Sequence, residues 1–228
     1  MEKNGGNSTI RDMTSGSPVK LIIQFMIPMF LGNIFQQFYN IADSIVAGQF
    51  LGVRALAAIG STGSLMFFVT GWLNGLSSGF AILVAQWFGA KKYDRIRQGY
   101  RISFGILTIW GLIITAAFVL LPRPISGLFF HDPESLGISV NYLIIIGFCE
   151  AFMAIELMTI GALSGLGMTK LCSIISIILT GARIPLAMLL THVGMGLDGI
   201  WWALSLTSIV KGIIFTLTFR QTSRTKLN

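Results

Sequence analysis

Charge is what this chain of 228 residues lacks most: Asp, Glu, Lys and Arg together make up 11% of it, against about 25% in soluble globular domains. With a mean hydropathy of +0.77, that scarcity excludes an ordinary water-soluble fold and points to a bilayer as the solvent. Cysteine is equally sparse. Cys149 and Cys172 both lie inside apolar runs, without a CxxC pair or a nearby histidine, so a disulfide framework and a cysteine metal site are excluded and both read as buried, reduced thiols. The sequence also has no HExxH, GxxxxGK[ST], GxSxG or glycine-rich nucleotide fingerprint, so neither an enzyme nor an ATP-driven pump is expected.

What is present is a series of long apolar runs at 21–49, 55–88, 102–121, 137–163, 171–190 and 197–219, each able to supply the ~20 residues of a membrane-crossing helix. Turn residues separate them: Leu51-Gly52, Gly89-Ala90, Pro122-Arg123-Pro124, His131-Asp132-Pro133 and Gly194-Met195-Gly196. The first run exceeds the ~7–15-residue core of a cleaved signal peptide and is expected to remain as a span. The expected fold is an all-α membrane protein of six transmembrane helices over residues 19–219, between tails at 1–18 and 220–228.

Lysine and arginine sort unevenly among the connectors. One side collects Lys3, Arg11, Lys20, Lys91, Lys92, Arg95, Arg97, Arg101, Lys170, Arg220, Arg224 and Lys226, and the other only Arg54 and Arg123. Basic connectors stay on the cytoplasmic side, so both termini are expected there, in a multi-pass protein of the cell membrane. The net charge of +7 is then explained by topology and anionic headgroups. The lipid bilayer is the expected partner, and nucleic acid is not.

Five ionisable residues remain at membrane depth: Asp43, Glu150, Glu156, Arg183 and Lys211. Such residues face a bundle interior or a wet cavity and mark ion or substrate paths, because a charge facing lipid costs at least ~3 kcal/mol. Asp43 continues a polar stripe of Asn33, Gln36, Gln37 and Asn40 at three- and four-residue steps on one helix face. With no obvious basic partner, it reads more readily as a functional carboxylate than as a structural one. Glu150 or Glu156 could instead form a structural bridge with Arg183, or bind and release a proton or Na⁺; spacing leaves both open. Lys211 is expected to snorkel toward the interface. GxxxG spacings at Gly71, Gly75 and Gly79 and at Gly161 and Gly165 predict close helix contact.

Several stretches together resemble one known family. IPMFLGNIFQQFYNIADSIVAGQFLGVRALAAIG is similar to the first helix and following turn of the MATE (multidrug and toxic compound extrusion) transporters, and GFAILVAQWFGAKKYDRIRQ to the end of their second helix. IELMTIGALSGLGMTK, ARIPLAMLL and GLDGIWWALSLTSIVKG extend the resemblance over nearly all of the chain after Pro18. It implies export of small organic cations by alternating access, driven by inward flow of H⁺ or Na⁺, with no cofactor beyond that ion. Asp43 matches the family's first-helix acid, Glu156 resembles an acid of its tenth helix, and Glu150 matches more weakly. Asn33, Gln36, Gln37, Asn40 and Arg183 would then line the substrate cavity.

Family members have twelve helices in two six-helix lobes, and this chain supplies one lobe's worth. Its beginning, to about Arg95, resembles the family's N-terminal start, and its later helices the C-terminal end. Transport would require a homodimer or a separate partner lobe. Two other readings remain open: a truncated or degenerate module that packs against a partner without transporting, and a flippase for lipid-linked substrates of the same superfamily.

Overall fold

In hydrocarbon every backbone donor and acceptor must be satisfied within the chain, so long apolar runs become helices. The structure, a computed structural model, describes residues 17–226, with the side chains at 36, 39, 40, 42–59, 61, 62, 64, 197 and 226 outside that description. Its helices are α1 (Pro18–Gly89), α2 (Tyr93–Leu120), the short α3 (Pro122–Gly127), α4 (Pro133–Gly165), α5 (Thr169–Leu190) and α6 (Gly196–Lys226), with a kinked turn at Thr191–Met195 between the last two, where Gly194 leaves helical geometry. No strand occurs among the described residues. Six segments are long and apolar enough to cross a membrane: Pro18–Phe35, Leu65–Gly89, Tyr93–Leu120, Pro133–Gly165, Thr169–Met195 and Asp198–Thr225.

The helical run of α1 is unbroken over 72 residues, yet its two ends travel in opposite directions. Near the start, the Ser173 hydroxyl donates to the Pro28 carbonyl at 2.7 Å and the Phe35 ring approaches Gly181, so this end runs parallel to α5. Farther on, the Ser77 hydroxyl donates to Leu157 O at 2.6 Å and Val84 meets Gly165, so that end runs parallel to α4. Helices α4 and α5 are themselves antiparallel, because α6 follows α4 (Ser205 on Ile145 O, 3.0 Å) and opposes α5 (Thr207 beside Arg183, Gly199 beside Leu190). The two ends of α1 are therefore two crossings. The turn expected at Leu51-Gly52 falls among the residues whose side chains lie outside the description.

Helix α4 is the bundle's centre, lying against α1, α2 and α6 with Leu143, Ile146, Cys149, Met158, Ala162 and Leu163 at 0–1% exposure. It begins four residues ahead of the expected 137 because Asp132 caps it, accepting from Ser135 N at 2.8 Å. Helix α2 likewise starts at Tyr93 rather than 102: Ile96 and Tyr100 turn inward while Arg95 and Arg101 stay exposed, an extra amphipathic stretch beyond the apolar run.

The glycine pairs divide. A Cβ on Gly161 would lie 2.6 Å from the Ser77 carbonyl oxygen, and one on Gly165 2.5 Å from that of Ala81, so these two glycines admit α1 as their spacing predicts. Gly71, Gly75 and Gly79 have nothing within 4 Å. The close packing expected there is not made within this chain, since those glycines lie on the outward side of α1.

One end of the bundle holds the start of α1, the α1–α2 and α4–α5 connections and the end of α6, hence Lys20, Lys91, Lys92, Arg95, Arg97, Arg101, Lys170, Arg220 and Arg224. The opposite end holds Arg123. The connector charges thus segregate to two faces as the sequence predicts.

Candidate functional site: buried charges around the central helix

Two acids project from α4 into different walls of the bundle. They are six positions apart, which on an α-helix means ~9 Å along the axis and ~120° around it. Glu156 turns toward α5 and α6, where its Oε1 lies 3.6 Å from Lys211 Nζ, with side-chain exposures of 9% and 5%. Arg183 of α5 belongs to the same cluster, acting electrostatically on both Glu156 and Lys211. Its Nε donates to Thr207 Oγ1 at 2.7 Å, and that hydroxyl donates onward to Ala203 O at 2.8 Å.

Glu156 thus pairs with Lys211, with Arg183 beside them in the same cluster. Lys211 does not snorkel. It shares the inward face of α6 with Ser208 and Phe215, three and four positions away, and all three are buried. Its stem points to the core, so its ammonium must meet an acid there.

Glu150 occupies the other wall, beside Gly147 and Ala154, which meet α2 at Thr115 and Gly111. Its exposure is 0%, and neither carboxylate oxygen has a hydrogen-bond partner among the described residues. An ionised carboxylate without compensation in such a place is very costly, so its charge must be accompanied by a cation.

Helix one fares differently. Asn33 and Gln37 are exposed on the outer surface of this chain. The side chains of Gln36, Asn40 and Asp43 lie outside the described residues. Among the described residues no group of three or more His, Cys, Asp or Glu is placed to hold a metal ion.

A polytopic α-helical membrane protein with ionisable groups sealed between its helices is the class these features define. The MatE family profile matches residues 28–189, and the chain belongs to that family. It is 26% identical over 168 residues to the "Probable multidrug resistance protein YoeA" of Bacillus subtilis, covering 72% of this chain and 36% of that protein. The "Probable multidrug resistance protein NorM" of Thermotoga maritima is 32% identical over 152 residues, covering 64% of this chain and 31% of the relative. A solved structure described as the outward-facing conformation of a multidrug resistance MATE family transporter superposes with a TM-score of 0.83 at 22% identity, over 90% of this chain and 45% of that one. A transporter of the MOP superfamily from Pyrococcus furiosus superposes at 0.80, also at 22% identity, over 90% and 45%. These structures share the fold. The chain spans less than half the length of the curated relatives it matches.

Proposed function

We propose that this chain is one lobe of an exporter of small organic cations, coupled to H⁺ or Na⁺, that works with a second copy of itself or a separate partner lobe. The observation that carries this reading is Glu150, fully buried and with neither oxygen hydrogen-bonded among the described residues. A carboxylate so placed is tolerable with a bound cation and costly without one, so its occupancy is tied to whether the wall around it is closed or open to water. Asp43 of the first crossing supplies the second acid of the cycle, and Glu156 holds the closed form through Lys211. Asn33, Gln36, Gln37 and Asn40 contact the substrate on the cavity side, and Arg183, buried at 4% exposure in this form, joins them when the wall opens.

Exposed polar and small residues support the need for a second lobe. Gly71, Asn74, Gly75, Ser78 and Gly79 recur at three- and four-residue steps on α1 and are all exposed, as is Asn33. Such a face suits another helix rather than acyl chains. The basic end of the bundle would face the cytoplasm with both termini, in the cell membrane. A flippase reading is weaker, because the described interior balances two acids against two bases.

Reconstituted into liposomes, the chain should extrude a fluorescent organic cation when a pH or Na⁺ gradient is imposed. Asp43→Asn should insert normally and lose the gradient dependence; coupled efflux of wild-type rate from that variant would remove Asp43 from the cycle. Crosslinking in native membranes should give a two-lobe species, and monomers alone would favour a non-transporting module.

A further inference from the structure

We propose that the arginine-lined cavity between α2 and α6, at the basic end of the bundle, binds the phosphate headgroup of an anionic phospholipid. The cavity has a volume of about 560 Å³ and takes Arg97 and Arg101 from α2 and Arg220 and Arg224 from α6. On each helix the two arginines are four residues apart, which sets both guanidinium groups on one face. Arg97 Nη2 reaches across to the Ser223 carbonyl at 3.4 Å. Asp94 lies 3.9 Å from Arg97, with its side chain 100% exposed.

The hollow is built as well as charged. Tyr100 and Phe219 stack beneath it with ring centroids 3.7 Å apart and planes 12° apart, and Tyr100 is anchored by a 3.1 Å hydrogen bond with Thr159. Retention of basic residues on one side of a membrane requires only that they lie at that end; it does not require them to surround a floored cavity between two helices. Guanidinium groups in pairs are suited to bidentate binding of phosphate oxygens, and basic pockets between transmembrane helices take phospholipid headgroups.

Lipid is favoured over a free phosphate by the wall that follows the cavity toward the membrane centre. Ile102 and Ile106 on α2 and Ile213 and Leu217 on α6 are between 48% and 57% exposed, within two turns of the arginines. They offer acyl chains an apolar bed directly below the headgroup. This assignment is independent of any transport activity.

The test is native mass spectrometry of the 228-residue chain from micelles holding equimolar phosphatidylglycerol and phosphatidylcholine. Phosphatidylglycerol adducts should dominate, and inorganic phosphate at millimolar concentration should not displace them. Arg101→Gln with Arg220→Gln should weaken phosphatidylglycerol retention roughly 30-fold, since each basic residue near an anionic surface contributes about a factor of five. Lys91→Gln with Lys92→Gln, at the same end but outside the cavity, should retain it. Equal adducts of the two lipids on the wild-type chain, displacement by inorganic phosphate, or equal losses from the two double variants would each overturn the assignment. The wild-type arms decide the matter even if a variant fails to fold.

Discussion

Removing Glu156 tests the buried charge cluster most sharply, because it strands two cations in the bundle. The Glu156 to Lys211 separation of 3.6 Å corresponds to an attraction of about 5 kcal/mol at an effective dielectric constant near 20. Taking one member from a buried pair typically costs about 3–5 kcal/mol, because the other is left uncompensated, whereas replacing both by apolar groups of similar volume is often close to neutral. Glu156→Met should therefore lower the melting temperature in detergent by about 6–20 °C, at 2–4 °C per kcal/mol for a chain of this size. Glu156→Met with Lys211→Met should recover more than half of that loss. The chain carries its own reporters: Cys149 and Cys172 are 0% and 4% exposed, so a thiol-reactive dye lights up on unfolding. If the double variant melted where the sum of the two single effects places it, the residues would be uncoupled and the cluster would not exist as described.

Other perturbations read out separate parts of the account. Glu150→Gln should melt at or above the wild-type temperature, since it removes a carboxylate with no described partner; a marked loss of stability would show that the carboxylate is already compensated. Gly165→Ala should cost about 1–3 kcal/mol through overpacking, because its Cβ would lie 2.5 Å from the Ala81 carbonyl oxygen. Gly75→Leu meets open space within the chain, so the monomer's melting should hold while crosslinked dimer falls. Gly194 has φ +96° in the kinked turn before α6, and Gly194→Ala should lower stability by about 1–2 kcal/mol, measured by the same thiol assay.

The crossings were legible because hydropathy over some twenty residues is a property of composition, whatever the neighbours do. Helix starts were less so. The beginning of α4 depends on Asp132 as a cap, and that of α2 on a short amphipathic stretch, neither of which raises mean hydropathy. The charged contacts were half legible: that Glu156 must find a cation follows from its depth, but that Lys211 meets it depends on the rotation of α6 against α4. Lys211 resembles a snorkelling residue by its distance from Arg220, and only its register with Ser208 and Phe215 betrays an inward stem. The GxxxG runs show the same division. Gly161 and Gly165 have Ser77 and Ala81 opposite them, while Gly71, Gly75 and Gly79 advertise an equally small face without saying whose helix fills it.

Efflux measured on the purified chain alone, in liposomes with an imposed gradient, bears most directly on the claim that the carboxyls of Glu150 and Asp43 couple cation entry to export. The account predicts extrusion of a fluorescent organic cation that stops when the pH and Na⁺ gradients are collapsed and is uncoupled in Glu150→Gln and Asp43→Asn. Extrusion that ignores both gradients, or coupling untouched in both variants, would contradict it.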